Sequence, residues 1–228
     1  MSRVIKRMIA ALTAAAAGLC MTACMGAKDA EGAELIKQAR SDYKSLDSAR
    51  VLMTNTETGE VEQEFAFKYD EKDILMFSYK GKSEKSEYAQ YNNGVECYTY
   101  DNGELSYAHK GDEGFVLYTR AATHPQADEG LILYSPAAIS DSKVTEEDGV
   151  THISHIYDVK KIKAQAESGT VTAFRTDYYF KGEELLYFTE TTETDEDGTH
   201  RVHSYKVEIT ERNAVKKIEN TVKGYQQK

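Results

Sequence analysis

Two pairs of histidines stand at i and i+3, His152 with His155 and His200 with His203, a spacing that can begin a metal site. On a helix each pair would share a face, but the flanking residues indicate strands, where i and i+3 point to opposite faces. Zinc wants three or four converging ligands, so surface imidazoles and no metal are the expectation. Asp195-Glu196-Asp197-Gly198 opens like a calcium loop. Thr199-His200-Arg201-Val202 then stand where the later ligands and the bidentate glutamate belong, so the run reads as a hairpin turn. The chain carries no Gly-x-Ser-x-Gly elbow, phosphate-binding glycine loop, dinucleotide fingerprint or His-Glu-x-x-His. Carboxylates are abundant and nothing selects one pair of them. No catalytic residue, no cofactor and no enzymatic activity are therefore expected. Cys97, in Val95-Glu96-Cys97-Tyr98-Thr99-Tyr100, has no base or cation nearby in sequence to make it a nucleophile, and is expected as a small buried thiol.

The remaining reactive position is near the N-terminus. Arg3, Lys6 and Arg7 precede an uncharged stretch from Met8 to Thr22 rich in Ala, Leu and Ile, the layout of a secretory signal. At about 1.5 Å per residue such a stretch rises about 22 Å as a helix, short of the roughly 30 Å of a hydrocarbon core. Met21-Thr22-Ala23-Cys24 closes it and resembles the bacterial lipobox, in which small residues precede a Cys that receives diacylglycerol and becomes the new N-terminus. Cys20 is the poorer candidate because Leu19 is too large for the small-residue position. Residues 1–23 are thus expected as a lipoprotein signal peptide, Cys24 as the lipidated residue, and 24–32 as a small, polar tether. Two or three acyl chains would hold the protein on a membrane essentially for good, so palmitate labelling is expected. Residue 25 is Met and not Asp, so an inner-membrane retention signal is absent and an outer membrane, where one exists, is an allowed destination.

Charge narrows the partners. The 228 residues hold 28 Lys and Arg against 38 Asp and Glu, and removal of Arg3, Lys6 and Arg7 leaves 25 against 38 in residues 24–228, a net charge of −13. Nucleic acid is excluded for want of a basic footprint, and attachment to an anionic membrane would rest on lipid alone. With Cys20 removed and Cys24 acylated, Cys97 has no partner for an intramolecular disulfide. A monomer is expected.

The elements that would carry a site read as one domain, residues 33–228. Leu35, Ile36, Ala39, Tyr43 and Leu46 share one side of a helix over 31–46. Strands follow at 48–57, 60–70, 73–80, 86–91, 95–100 and 104–110, with Phe65, Phe67 and Tyr69 alternating against Glu64, Ala66 and Lys68. Asn92-Asn93-Gly94 and Asp101-Asn102-Gly103 are hairpin turns. Both prolines, Pro125 and Pro136, fall between Gly111 and Gly149 beside Leu131-Ile132-Leu133-Tyr134, so that stretch is expected as short helical and loop segments on the concave face. Strands resume at 150–159, 171–180, 184–194 and 199–211. The fold class is α+β: a single curved antiparallel sheet, a half-barrel, with an N-terminal helix and this insertion on its concave face.

Two stretches carry a family resemblance. Ile74-Leu75-Met76-Phe77-Ser78-Tyr79, with Tyr91 through the Asn93-Gly94 turn to Asp101, is similar to the strand, turn and aromatic strand of the LolA/LolB-like lipoprotein carriers, which include the mycobacterial LppX/LprG lipoproteins. Asp177-Tyr178-Tyr179-Phe180-Lys181-Gly182-Glu183-Glu184-Leu185 resembles their late hairpin. The resemblance implies a lipid-anchored, extracytoplasmic, non-catalytic protein of the cell envelope that carries or senses a lipid or an acylated protein in a concave sheet. The RseB-like relatives imply the alternative, a regulatory interaction module without an internal ligand. For the first reading, Phe65, Phe67, Tyr69, Met76, Phe77, Tyr79, Tyr98 and Tyr100 are the candidate cavity lining.

Overall fold

The computed structural model describes residues 30–83, 86–121, 136–162 and 169–225. Cys24, Pro125 and the aliphatic run 131–134 lie outside the described residues.

Helix α1 (Ala33–Ser45) forms because its apolar residues recur every three or four positions. Ala33, Ile36, Ala39 and Tyr43 make one buried stripe, and a Lys37–Glu34 pair at 2.7 Å lies on the outer side. Its N-cap is Gly32 at φ 75, and that glycine is required twice over. A Cβ there would meet Ile153 at 2.5 Å, and the positive φ disfavours any side chain. Beside it, His155 Nε2 donates to the Glu31 carbonyl at 2.9 Å. The end of the expected tether is thus held against the sheet.

Eleven strands follow: β1 (Ser48–Asn55), β2 (Val61–Tyr69), β3 (Leu75–Lys82), β4 (Glu87–Asn92), β5 (Glu96–Asp101), β6 (Glu104–His109), β7 (Ile139–Glu147), β8 (Val150–Tyr157), β9 (Thr170–Lys181), β10 (Glu184–Glu196) and β11 (Thr199–Thr210). A short helix, α2 (Val159–Ile162), and two 3₁₀ turns, Pro136–Ala138 and Thr221–Tyr225, complete the described elements. The strands form one open, curved antiparallel sheet in the order β6-β5-β4-β3-β2-β1-β11-β10-β9-β8-β7. Two meanders therefore meet at the β1–β11 pair. Three hairpins turn on Asn102-Gly103, Asp148-Gly149 and Asp197-Gly198, each with both residues at positive φ, the geometry that Asn or Asp followed by Gly accommodates.

The region expected as helix and loop needs correction. Residues 139–147 form edge strand β7, paired with β8 from Ile139↔Tyr157 to Glu147↔Val150. Ile-Ser-Asp-Ser-Lys-Val-Thr-Glu-Glu has little apolar alternation because an edge strand has few buried positions to fill.

The main core lies between α1 and the sheet. Ile36, Tyr43, Phe67, Ile153, Tyr178, Phe180, Phe188 and Val207 are each 3% exposed or less. A second cluster occupies the other face, where Val215 and Ile218 of the C-terminal segment pack on Ala66, Met76 and Tyr91. That segment is tied down by Asn213, whose amide donates to Ser48 O at 2.7 Å, and by Tyr225, stacked 4.0 Å from Tyr100.

Candidate functional site

Strand register decides which side chains share a wall. Ala49↔Phe67, Phe67↔Phe77 and Phe77↔Asn92 place one row on the helix-bearing, inner face. Val51↔Phe65 and Phe65↔Tyr79 place the next row beside it. Helix α1 crosses this face obliquely, from Ile153 of β8, where Gly32 sits, to Phe67 of β2, whose ring is 5.9 Å from that of Tyr43. Beyond the helix the apolar row continues through Met53 and Phe65, which are half-buried.

The eight candidate lining residues divide between the two faces. Phe65, Phe67, Tyr69, Phe77 and Tyr79 lie on the inner face, with Phe67, Tyr69 and Phe77 buried and Phe65 and Tyr79 half-buried. Met76 points the other way, into the cluster beneath the C-terminal segment. Tyr98 and Tyr100 share that outer face, because Ser78↔Tyr91 and Tyr91↔Tyr98 carry its parity across β4 to β5. Adjacent positions on a strand cannot line one wall, so the eight do not form a single cavity.

Arg120 had no signal in the sequence. It follows a segment that runs beside β3, with Leu75 N donating to Tyr118 O at 3.0 Å and an Ile74↔Thr119 bridge. Its guanidinium donates to Asp47, to Asp73 at 3.1 Å and to the Leu46 carbonyl at 3.3 Å, while its Cζ lies 3.9 Å from the Tyr69 ring centroid. One side chain thus fastens the end of α1 to the β2–β3 turn. Burial lowers its pKa, and the bonds to Asp73 and Asp47 raise it by more, so the charge is secure. Arg120→Ala should destabilise the domain by about 1–3 kcal/mol, as expected for hydrogen bonds to charged groups. It should also speed amide exchange at Leu46, which a urea titration and exchange mass spectrometry would read. An unchanged urea midpoint would show that the clamp carries no load.

The histidines separate as strand parity requires, but they are not all superficial. His155 is fully buried among Tyr157 and Tyr178, and its Nδ1 has no partner among the described residues, a correction to the surface imidazole expected there. Its position in the alternation Ile153, His155, Tyr157 is the signal that could have revealed this. His152 lies on the outer face, stacked 4.6 Å from Tyr179, which in turn stacks 4.5 Å from Tyr187, with Lys206 Nζ 4.5 Å from the Tyr187 centroid. Beside this ladder His152 Nε2 donates to Asp177 Oδ1 at 3.0 Å and Arg175 Nε to Oδ2 at 2.8 Å, so both oxygens of that buried carboxylate are used. His200 and His203 are exposed. Among the described residues no three of His, Cys, Asp and Glu stand together as metal ligands. Cys97 is half-buried, not buried, with Gln90 Nε2 at 3.5 Å from its sulfur.

Clefts open on both faces among the described residues. One, of about 280 Å³, lies between α1 and the β9–β10 turn, floored by Ala39, Leu46, Leu185 and Ile209 and rimmed by Asp42 and Glu183. The other, of about 310 Å³, lies on the outer face between Lys143, His152, Ser154 and Arg175.

No family model matches the chain, and no curated protein matches it. Among solved structures it is similar to the crystal structure of LprF from Mycobacterium bovis, at 11% sequence identity and a TM-score of 0.43, over 82% of this chain and 95% of that one.

Proposed function

We propose that this chain is a non-catalytic protein of the bacterial cell envelope, held on the extracytoplasmic side of a membrane by lipid on Cys24. We further propose that the inner face of its sheet receives a lipid or the acyl part of an acylated protein. One observation carries the ligand reading: the apolar row is longer than the helix that covers it. Tyr43 seals Phe67, whereas Met53, Phe65 and Tyr79 continue the wall in a half-buried state. A hydrocarbon chain laid along them would gain about 25 cal/mol for each Å² of apolar surface removed from water. A second reading, an interaction module with no internal ligand, draws on the dense packing beneath α1, where Phe67, Tyr178, Phe180 and Phe188 are fully buried.

Cys24→Ala should release the protein from membranes and abolish labelling by a clickable palmitate; continued labelling would place the anchor elsewhere. The released protein should carry acyl species in native mass spectrometry and organic extraction. Phe65→Glu and Tyr79→Glu, at half-buried positions, should lose them while circular dichroism stays unchanged. A clean apo mass would favour the interaction module.

A further inference from the structure

The sheet ends in two strands of different character. β7 carries the guards of a natural edge: a bulge between Ile139 and Asp141, and charges at Asp141, Lys143, Glu146 and Glu147. β6 pairs with β5 without a bulge and has neither Lys nor Pro within it, yet Leu105 is 46% and Tyr107 53% exposed.

The Asn102-Gly103 turn, with φ of 48 and 98, makes Asp101 and Glu104 the closing hydrogen-bonded pair. Glu104, Ser106 and Ala108 therefore turn their N–H and C=O groups toward β5, and Leu105, Tyr107 and His109 turn theirs outward. Asp112 already satisfies His109, its carboxylate accepting from His109 N at 2.7 Å and its amide donating to His109 O at 2.9 Å. Leu105 and Tyr107 keep two donors and two acceptors with no partner among the described residues.

We infer that β6 is a self-pairing edge, joining two copies of this chain antiparallel about Ser106 into one continuous sheet. In that register Leu105 of each copy stands opposite Tyr107 of the other as a hydrogen-bonded pair, and the four free groups of each copy are all used. Leu105 and Tyr107 share the outer face, so each leucine covers the open side of a tyrosine ladder. Tyr91, Tyr98 and Tyr107 are spaced 6.2 and 4.8 Å apart, and the last ring has no neighbour beyond it on its own sheet. The ladder at the other end of the molecule, by contrast, closes on Lys206. Charge agrees with the register: Glu104 faces Ala108, its diagonal neighbour is Lys110, and no like charges stand directly opposite. A single strand pair is a small interface, so the dimer is weak and forms at high protein concentration. This departs from the monomer expected from the sequence and is independent of the proposed ligand.

Sedimentation equilibrium on the Cys24→Ala chain should show the mass rising toward twice the monomer as concentration increases. Tyr107→Lys should weaken association at least tenfold, and Val144→Lys on β7 should leave it unchanged. Amide exchange of the unmutated edge provides a check that does not depend on a variant: protection at Leu105 and Tyr107 should grow with concentration. A single-copy mass throughout, association indifferent to Tyr107→Lys, or protection that does not change would each overturn the inference.

Discussion

Between pH 10 and 12 the domain is expected to unfold cooperatively, losing stability with each step in pH. Four tyrosines cause this. Burial, opposed by Arg120 and helped by Asp73, pushes the Tyr69 phenol up to about 12. Burial also raises Tyr88, Tyr157 and Tyr178, the last two further through the carboxylate of Glu190. An unfolded tyrosine releases its proton near pH 10. Above that pH the unfolded chain binds fewer protons than the folded one, so unfolding becomes more favourable as pH rises. Their contribution is fully present below pH 10 and for Tyr69 is lost by about pH 12. Each proton that only the folded chain retains contributes a slope of up to about 1.4 kcal/mol per pH unit, so the loss steepens with every buried phenol that takes part. Phenolate absorbance followed together with circular dichroism would test this. The exposed tyrosines should titrate first, and a second phase should coincide with loss of the sheet signal. Retention of the sheet to pH 12 while all 16 tyrosines titrate as one group would refute it.

Phe67→Ala should be the most damaging single substitution within the core. The ring is fully buried, lies 5.8 to 6.0 Å from Phe65, Tyr43 and Tyr69, and joins α1 to the middle of the sheet. Truncating such a phenylalanine typically removes about 3–5 kcal/mol, which for a domain of this size lowers the thermal midpoint by roughly 10 °C. Phe65→Ala, two residues along the same face but half-buried, should lose less than half as much. Thermal unfolding of the two variants side by side distinguishes a packed interior beneath α1 from a loosely filled one. Similar small losses for both would mean that the helix does not seal the core.

Much of this architecture was legible because it is local. The alternation of Phe65, Phe67 and Tyr69 announced β2 and its buried face, and Asn or Asp before Gly announced the turns whose positive φ only such residues tolerate. The candidate wall was less legible, since the sequence alone does not say which strand face turns inward. Phe77 and Met76 are neighbours in sequence and therefore on opposite faces. The placement of Tyr98 and Tyr100 depends on register carried through three strands, which no local pattern encodes. Arg120 and β7 were missed for a related reason. An arginine whose partners are Asp47 and Asp73 has no nearby signature, and a polar edge strand is stabilised by its neighbour rather than by its own propensity.

The hold of His155 on Glu31 and the tight seat of Gly32 against Ile153 also set the length of a leash. On the proposed lipidation of Cys24, Glu31 can lie no farther from the anchor than the seven residues from 25 to 31 can span, about 25 Å at roughly 3.3–3.6 Å each. The leash enters at β8 on the helix-bearing side, not at a chain end that swings freely. The domain would therefore ride close to the bilayer, with its point of attachment fixed at the β8 end of α1.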